Sequence, residues 1–363
     1  MDLALYDPDA GYYARAAQRS GRAGDFFTSV DVGPLFGALL EIQIAEMAAI
    51  LAATAANRPF ELIEAGAGNG RLSTDILRAA RQRDPDVYDR TRLHLVEASA
   101  RAREAQRAAM GEVADRLVSS SAEPPARFDG VLLANELLDA FPVHQVVMRA
   151  DGLHEVYVDV VDAAPGLAAA TGLVAREGPP STPALADYFA RLGIALEPGW
   201  RAEVNLRALA WVRDIASRLH RGFLIFIDYG YEARELYSPT HAGGTLTTFA
   251  RHTMAGPECP AGGPPWLMNP GTQDMTAHVD FTSIRAAGEA AGLTTLGFLD
   301  QTYFLLALAD LAPFEGPENF KKRLALKTLL MPGGLGSTHK VLIFGKGVGT
   351  PVLRGCGSGM RVT

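Results

Sequence analysis

The sequence FELIEAGAGNGRLSTDIL, residues 60–77, joins an apolar run to a helical pattern through an acidic residue and three glycines. The apolar run predicts a buried strand, and the apolar residues from Leu72 onward recur at helical spacing. Glycine permits backbone conformations that other residues resist, and it lets a ligand approach the main chain closely. A strand, a glycine-rich loop and a helix in this order predict a nucleotide-binding site.

Three further stretches outside this loop are also apolar over most of their length: LHLVEAS (93–99), FDGVLLANE (128–136) and GFLIFIDYG (222–230). Such runs are typical of parallel strands that are buried on both faces. Helical patterns follow most of them, as at residues 72–84 and 98–117. This alternation predicts an α/β fold with a doubly wound, Rossmann-like sheet.

Other patterns divide the chain further. Residues 33–54 predict an amphipathic helix that starts at Pro34, and Asp151-Gly152 predicts a hairpin turn. TYFLLALA (302–309) and HKVLIFGKG (339–347) are interpreted as an antiparallel strand pair that closes the sheet. We expect an N-terminal helical and loop cap (1–58), the first part of the core (59–149), an inserted hairpin and helical lobe (150–200), the rest of the core (201–350) with a substrate-side insertion (236–280), and a flexible tail (351–363).

Composition limits the possible function classes. The 363 residues are 48% hydrophobic and 21% charged, as in soluble globular proteins. The net charge of -7 disfavours nucleic acid as a partner. The two cysteines match no metal-ligand spacing, and His252 and His278 lack a matched ligand set, so no metal is expected. Because no membrane span, signal peptide or transit peptide is evident, we expect a cytoplasmic protein without membrane insertion. The oligomeric state is left open.

The glycine loop indicates which nucleotide is bound. A dinucleotide fingerprint needs its third glycine at position 71, where this chain has Arg71. The loop instead has three alternate glycines, Gly66, Gly68 and Gly70. Glu64 precedes them and could hold the ammonium group of S-adenosyl-L-methionine (SAM), which has no pyrophosphate. Glu97 follows at the spacing of an acid that binds ribose hydroxyls. Alternatively, Glu97 is a solvated helix cap and the glycines form only a tight turn.

Polar residues end two of the other predicted strands. Asn135, Glu136 and Asp139 follow one strand, and Asp228 with Tyr229 ends another, where ligands of open α/β sheets bind. If a helix starts after Asn135, Glu136 and Asp139 share a face and could bind a cationic acceptor or accept its proton. Helix capping by Asn135 or Asp228 and a solvated Asp139 are the alternatives. The absence of an Asn-Pro-Pro-aromatic motif counts against methylation of a nucleobase.

The most particular motifs are GDFFTS (24–29), NELLDAFPV within ANELLDAFPVHQ (134–145) and DMTAHVDF within PGTQDMTAHVDF (270–281). With the glycine loop, they make the chain similar to the MidA family of class I SAM-dependent methyltransferases. Mitochondrial members of that family dimethylate an arginine of a respiratory complex I subunit. The resemblance implies that Gly66, Gly68, Gly70 and Glu97 hold SAM and that Asn135, Glu136 and Asp139 face the acceptor. It also implies an N-terminal loop near the cofactor, formed by Gly24, Asp25 and Phe26.

The expected function is therefore a SAM-dependent methyltransferase, with S-adenosyl-L-homocysteine as product and a protein arginine side chain as acceptor. Glu136 and Asp139 would orient the guanidinium, together with Asn135 and Asp228. A respiratory complex I subunit is the partner that the resemblance implies. An alternative is a SAM-binding assembly protein for respiratory-chain subunits that performs no turnover. An NAD-dependent oxidoreductase is disfavoured by Arg71.

Overall fold

The computed structural model describes residues 1–15, 28–53, 59–160, 172–250, 253–257, 264–309, 319–330 and 338–357. Within these ranges the strands are β1 (Phe60–Ala65), β2 (Thr91–Val96), β3 (Leu117–Ser121), β4 (Phe128–Asn135), β5 (His144–Arg149), β6 (Gly152–Val160), β7 (Leu173–Gly178), β8 (Arg201–Val204), β9 (Leu219–Tyr231), β10 (Thr247–Ala250), β11 (Thr253–Ala255), β12 (Asp274–Thr276), β13 (Val279–Asp280), β14 (Thr294–Asp300) and β15 (His339–Lys346). The helices are α1 (Asp2–Tyr6), α2 (Tyr12–Arg15), α3 (Leu35–Ala52), α4 (Arg71–Arg83), α5 (Pro85–Arg90), α6 (Ala100–Met110), α7 (Ala184–Leu192), α8 (Leu206–Arg218), α9 (Ala233–Leu236), α10 (Phe281–Ala290), α11 (Gln301–Leu308) and α12 (Phe320–Leu330).

The main sheet has the strand order β14–β15–β9–β4–β1–β2–β3, and β13 pairs with the end of β9. Strands β9, β4, β1, β2 and β3 run parallel, whereas β15 is antiparallel to both β9 and β14. The predicted class of fold, a doubly wound parallel sheet, is confirmed. All the carboxyl ends of its parallel strands therefore meet at one edge of the sheet, where ligands of such folds bind.

Alternate residues of the strands are buried against helices on opposite faces of the sheet. Leu62 of β1 packs in a cluster with residues of α3, α4, α11 and α12. The next residue, Ile63, packs in a second cluster with residues of α8 and α10. Both residues are at most 2% exposed, which explains why the strands are apolar throughout rather than alternating. This two-sided burial holds the carboxyl edge of the sheet rigid.

Helix α3 begins at Leu35, and Pro34, the expected first helical residue, occupies the N-cap position one residue earlier. By length and apolar composition alone α3 could cross a bilayer, but 56% of the stretch is buried inside the protein. Leu40, Ile44 and Met47 are each at most 2% exposed in the core. These contacts are those of a core helix, which covers the sheet face that also carries α4.

The interpretation of residues 302–309 as a strand is wrong, because residues 301–308 form helix α11. Leucine and alanine dominate this stretch, and both favour a helix when no alternation with polar residues forces an extended chain. The partner of β15 is instead β14, the strand that directly precedes α11 in the sequence. Part of the expected flexible tail also packs on this region: Leu353 is 1% exposed, and Gly355 N donates to Gln43 Oε1 of α3 at 2.8 Å.

Two smaller antiparallel sheets interrupt the alternation. One has the order β7–β6–β5–β8, in which Arg149 pairs with Gly152 across the predicted hairpin turn. This sheet starts at His144, earlier than the expected lobe boundary at residue 150. The other has the order β11–β10–β12. The insertions contact the main sheet near its carboxyl edge, since Asn205 Nδ2 donates to Leu138 O at 3.0 Å and Ala277 N to Asp139 O at 3.0 Å.

Candidate active site

The glycine loop connects β1 to α4 at the carboxyl edge of the sheet. Gly66, Gly68 and Gly70 have φ angles of 74°, 51° and 79°, which favour glycine. Val96 O accepts hydrogen bonds from Gly66 N and from the following amide, so the loop is fixed to the end of β2. A Cβ at Gly66 or Gly70 would lie 3.0 Å from a leucine side chain, whereas at Gly68 no described atom lies within 4 Å. The main chain of Gly68 therefore borders open space.

Glu97 lies beside this loop, at the end of β2. Its Oε2 accepts from Gly68 N at 2.8 Å, and its Oε1 accepts from Ser99 N at 2.8 Å. Gln106 Nε2 of α6 donates to Gly68 O at 2.8 Å. Ser99, not Glu97, caps α6 with its side chain. The half-buried Glu97 is thus fixed against the glycine loop, and the alternative of a solvated cap does not describe it.

Glu64, which precedes the loop on β1, is buried inside the protein. It is 5% exposed, and its Oε2 accepts from Ser73 N at 3.1 Å and from the Ser73 hydroxyl. Burial raises the pKa of the Glu64 carboxyl to about 7. These contacts show Glu64 anchoring the first turn of α4. A direct contact with the cofactor ammonium stays a prediction.

Arg71, which the sequence analysis used only to exclude a dinucleotide, has a structural partner. Its Nη1 lies 3.0 Å from Asp31 Oδ1, and the Asp31 side chain is 2% exposed. Asp31 Oδ2 also accepts from Thr28 N at 3.0 Å. The pair ties residues 28–32 to the helix that follows the glycine loop. Gly24, Asp25 and Phe26, predicted near the cofactor, lie outside the described residues.

Asn135 and Glu136 stand at the end of β4, next to the glycine loop because β4 pairs with β1. Glu136 has a φ of 51°, a left-handed conformation that costs a non-glycine residue roughly 1–3 kcal/mol. Asn135 Nδ2 lies 3.3 Å from Glu136 Oε1. Asn135 Oδ1 is buried and has no hydrogen-bond partner among the described residues. An acceptor atom in this state fits an N–H group supplied by a ligand.

The helical face expected for Glu136 and Asp139 does not form, because the chain turns without a helix after Asn135. Asp228, at the end of β9, replaces the helical hydrogen bonds. Its Oδ2 accepts from Leu137 N at 3.0 Å and from Leu138 N at 2.7 Å. The positive φ of Glu136 and these two bonds set the path of the loop, so sequence spacing alone misassigned its conformation.

The acidic residues nevertheless gather at this point, in different environments. Asp139 is buried, and burial together with the neighbouring charges of Asp228 and Glu136 raises its pKa well above the usual range. Burial likewise raises the pKa of Asp228 to about 7. The Glu136 side chain is 11% exposed and is the more accessible carboxylate. Glu136 is therefore the acid best placed to meet an acceptor.

Tyrosines from the N-terminal helices contact the same region, and the sequence analysis gave them no chemical role. Tyr13 OH donates to Asp274 Oδ1 at 2.9 Å, and Tyr6 OH donates to Ala140 O at 3.0 Å. Their ring centroids are 5.4 Å apart. Burial raises the pKa of both phenols, so they stay neutral at physiological pH. The only signal in the sequence for Tyr13 is the GYY stretch at residues 11–13, which carries no spacing rule.

His339, at the start of β15, was also missed. Its Nε2 lies 3.5 Å from Glu136 Oε1, and its ring centroid lies 3.8 Å from that of Tyr229. The contact depends on the antiparallel register of β15 and β9, which the sequence does not reveal. Within the described part of the chain, no three His, Cys, Asp or Glu side chains form a group that could hold a metal ion.

Comparisons with known proteins agree with this geometry. The profile of a family of S-adenosyl-L-methionine-dependent methyltransferases matches residues 39–299. A COG1565 superfamily member from Burkholderia thailandensis, solved with S-adenosyl-homocysteine bound, is 31% identical, with a TM-score of 0.86 over 99% of this chain and 89% of its own.

Curated relatives are more distant in sequence. The human protein arginine methyltransferase NDUFAF7, mitochondrial, is 29% identical over 84% of this chain and 68% of its own length. The Drosophila melanogaster homologue is 27% identical over 96% of this chain and 80% of its own length. The similarity thus extends over most of the chain rather than over the glycine loop alone.

Proposed function

Because this chain belongs to the family of S-adenosyl-L-methionine-dependent methyltransferases, we propose that it methylates a nitrogen of a protein arginine side chain. The cofactor and the type of reaction follow from the family and from the fold shared with the relative that binds S-adenosyl-homocysteine. The arginine acceptor is supported by the curated relatives, which are named protein arginine methyltransferases. We also propose which residues of this chain perform the reaction.

The glycine loop fits the cofactor. The main chain of Gly68 borders open space, and the positive φ angles of Gly66, Gly68 and Gly70 keep side chains out of it. Glu97 stands where an acid can accept hydrogen bonds from ribose hydroxyls. These residues would hold SAM, which supplies a methyl group on a positively charged sulfur. Catalysis of such a displacement depends mainly on positioning the attacking nitrogen.

One observation carries the assignment of the acceptor site: the unpartnered Asn135 Oδ1 lies beside the strained, accessible Glu136. Both groups accept hydrogen bonds, and a guanidinium presents a planar set of N–H donors. Glu136 can hold one N–H while Asn135 Oδ1 accepts another, which orients the attacking nitrogen. When the N–C bond forms, that nitrogen must lose a proton, and the Glu136 carboxylate is within the site to accept it.

The buried acids support this role. Burial and the neighbouring charges raise the pKa of Asp139 well above its usual range, which favours the protonated form of this carboxyl group. In that form it can donate a hydrogen bond. Asp228 holds the loop that carries Glu136 through the amides of Leu137 and Leu138. The site then presents chiefly one accessible carboxylate to one guanidinium charge. This balance favours a cationic acceptor over a neutral one.

The proposal is tested by quantitative mass spectrometry of methylarginine in the proteome of the source organism. We expect at least one methylarginine site to disappear when the chain is deleted. It should return with the wild-type chain but not with Glu136→Gln. Glu104→Gln, an exposed carboxylate of α6, serves as the matched control and should restore the site. If no methylarginine site changes on deletion, the arginine proposal is wrong.

The same experiment identifies the partner. On the MidA resemblance we propose a respiratory complex I subunit as the methylated protein, and the sequence of the affected peptide checks this. Restoration of a complex I assembly defect by Glu136→Gln would instead favour the alternative of a SAM-binding assembly protein without turnover. The curated relatives are mitochondrial proteins. The cytoplasmic location expected for this chain is a separate proposal, which fractionation of cells would check.

A further inference from the structure

A buried histidine contacts the carboxylate that the proposed mechanism uses. We propose that His339 is a positioning residue, which holds the Glu136 carboxylate in its acceptor-facing conformation. This inference rests on the proposed function, because it assumes that Glu136 acts on the acceptor. It assigns a role to the first residue of β15.

The placement of His339 follows from the register of three neighbouring strands. His339 pairs with Tyr229 across the antiparallel β15–β9 ladder. Glu136 N donates to Ile227 O at 2.8 Å, two residues earlier on β9. The first residue of β15 is thereby brought to the end of β4, where His339 Nε2 lies 3.5 Å from Glu136 Oε1. The imidazole is fully buried, so neither solvent nor a long side chain can replace it easily.

The imidazole is itself held in a defined orientation. The Tyr229 ring lies against it with a centroid distance of 3.8 Å. Among the described residues, the titratable groups around it are Glu136 from the end of β4 and Asp228 and Tyr229 from β9. The adjacent Lys340 is directed to Asp300 instead. His339 thus places a ring nitrogen beside these acidic residues.

Glu136 needs such a partner because of its backbone conformation and its length. It sits at a φ of 51° outside any helix, so no helical neighbour restricts its side chain. Ordering a glutamate side chain costs up to about 2 kcal/mol of conformational entropy. Asn135 Nδ2 and His339 Nε2 both approach the same atom, Oε1. These two contacts fix the carboxylate before the acceptor binds, so the other oxygen, Oε2, has a defined orientation. Groups that are oriented in advance in this way increase the reaction rate.

The test compares variants of His339 in steady-state methyl transfer and in calorimetric binding of S-adenosyl-L-homocysteine. His339→Phe keeps a ring of similar size but removes both nitrogens. We expect kcat to fall about tenfold or more, since a misplaced group of this kind costs up to ~100-fold. The Kd for S-adenosyl-L-homocysteine should stay within about twofold of wild type.

Two amide variants separate positioning from mere packing. His339→Gln can still place an N–H near Glu136, whereas His339→Asn has the same chemistry with a shorter reach. Positioning predicts a higher kcat for His339→Gln than for His339→Asn at similar stability. Ile343→Val is the matched control, since Ile343 is also fully buried on β15, and it should keep the wild-type kcat. This comparison remains decisive if His339→Phe does not fold.

The outcomes distinguish this inference from the proposed function. If Glu136→Gln keeps wild-type kcat, the proposed function fails, whatever the histidine variants do. If Glu136→Gln is inactive while folded His339→Phe keeps the wild-type kcat, only the role of His339 is overturned. Equal kcat values for His339→Gln and His339→Asn also overturn it. Loss of kcat with unchanged binding of S-adenosyl-L-homocysteine in His339→Phe, and recovery in His339→Gln, support it.

Discussion

At the scale of single residues, the glycine loop provides a direct test of cofactor binding. Gly68 and Gly111 have similar φ angles, 51° and 57°, and in each case no described atom lies within 4 Å of an added Cβ. Leucine at either position should therefore lower the folding stability by a similar amount, roughly 1–2 kcal/mol. Gly111 ends α6 and does not border the loop.

We expect Gly68→Leu to abolish SAM binding in calorimetry, because its side chain fills the space that the cofactor needs. Gly111→Leu should bind SAM as the wild type does, although its loss of stability in urea unfolding should be comparable. If Gly68→Leu binds SAM with wild-type affinity, the glycine loop has been assigned wrongly.

The acidic residues show what a sequence cannot reveal at this scale. Spacing treated Glu136 and Asp139 alike, as two carboxylates on one helical face. The structure separates them, since Asp139 is buried among other acids and Glu136 remains accessible. Burial and charge proximity decide protonation, and both depend on residues far away in sequence, such as Asp228 and Asp274.

At the scale of secondary-structure elements, the ends of β4 and β9 are joined by Asp228. Asp228→Ala would leave the amides of Leu137 and Leu138 without an acceptor, at a cost of about 1–3 kcal/mol for each buried group. Asp228→Asn keeps an acceptor oxygen and should lose much less stability. Urea unfolding of both variants checks this. Equal stability of the two would show that Asp228 does not hold this loop.

The parallel strands were predictable because each is apolar along its whole length, as two-sided burial requires. Helix α11 was not, since a short apolar run fits a strand or a buried helix equally well by periodicity. The neighbouring β14 (Thr294–Asp300) mixes apolar with polar residues because it lies at the edge of the sheet. The sequence of the edge strand β14 therefore indicated a strand only weakly. The more apolar segment next to it, which forms α11, was mistaken for the partner of β15.

The glycine loop and the acids after β4 and β9 were also predictable, because residues at the ends of neighbouring parallel strands must converge. The contributions of Tyr13 and His339 were not. Tyr13 reaches Asp274 across 261 positions of sequence, and His339 reaches Glu136 through an antiparallel register. Neither contact follows from local spacing or from the order of the elements alone.

At the scale of the whole molecule, buried acids make folding stability depend on pH. Burial raises the pKa of Glu64 and of Asp228 to about 7 each, from ordinary values of 4.5 and 3.8. Between those values the folded chain holds protons that the unfolded chain releases. The free energy of unfolding should therefore fall as the pH rises from about 5 to about 7.

Glu64→Gln removes one of the groups that bind a proton more tightly in the folded chain than in the unfolded chain. The glutamine retains an acceptor oxygen for Ser73. We expect urea unfolding of this variant to show a smaller loss of stability between pH 5 and pH 8 than the wild type shows. Glu104→Gln, at an exposed position, should follow the wild type. An unchanged slope for Glu64→Gln would mean that Glu64 is ionised in the folded protein at pH 5.

The central claim is that the two parts of the site have separate roles: the glycine loop binds the cofactor and Glu136 acts on the acceptor. The most direct test is to titrate SAM into Glu136→Gln in a calorimeter and to follow methyl transfer by the same preparation. We predict wild-type affinity for SAM and no transfer to protein arginine. Transfer at the wild-type rate by Glu136→Gln would contradict the account.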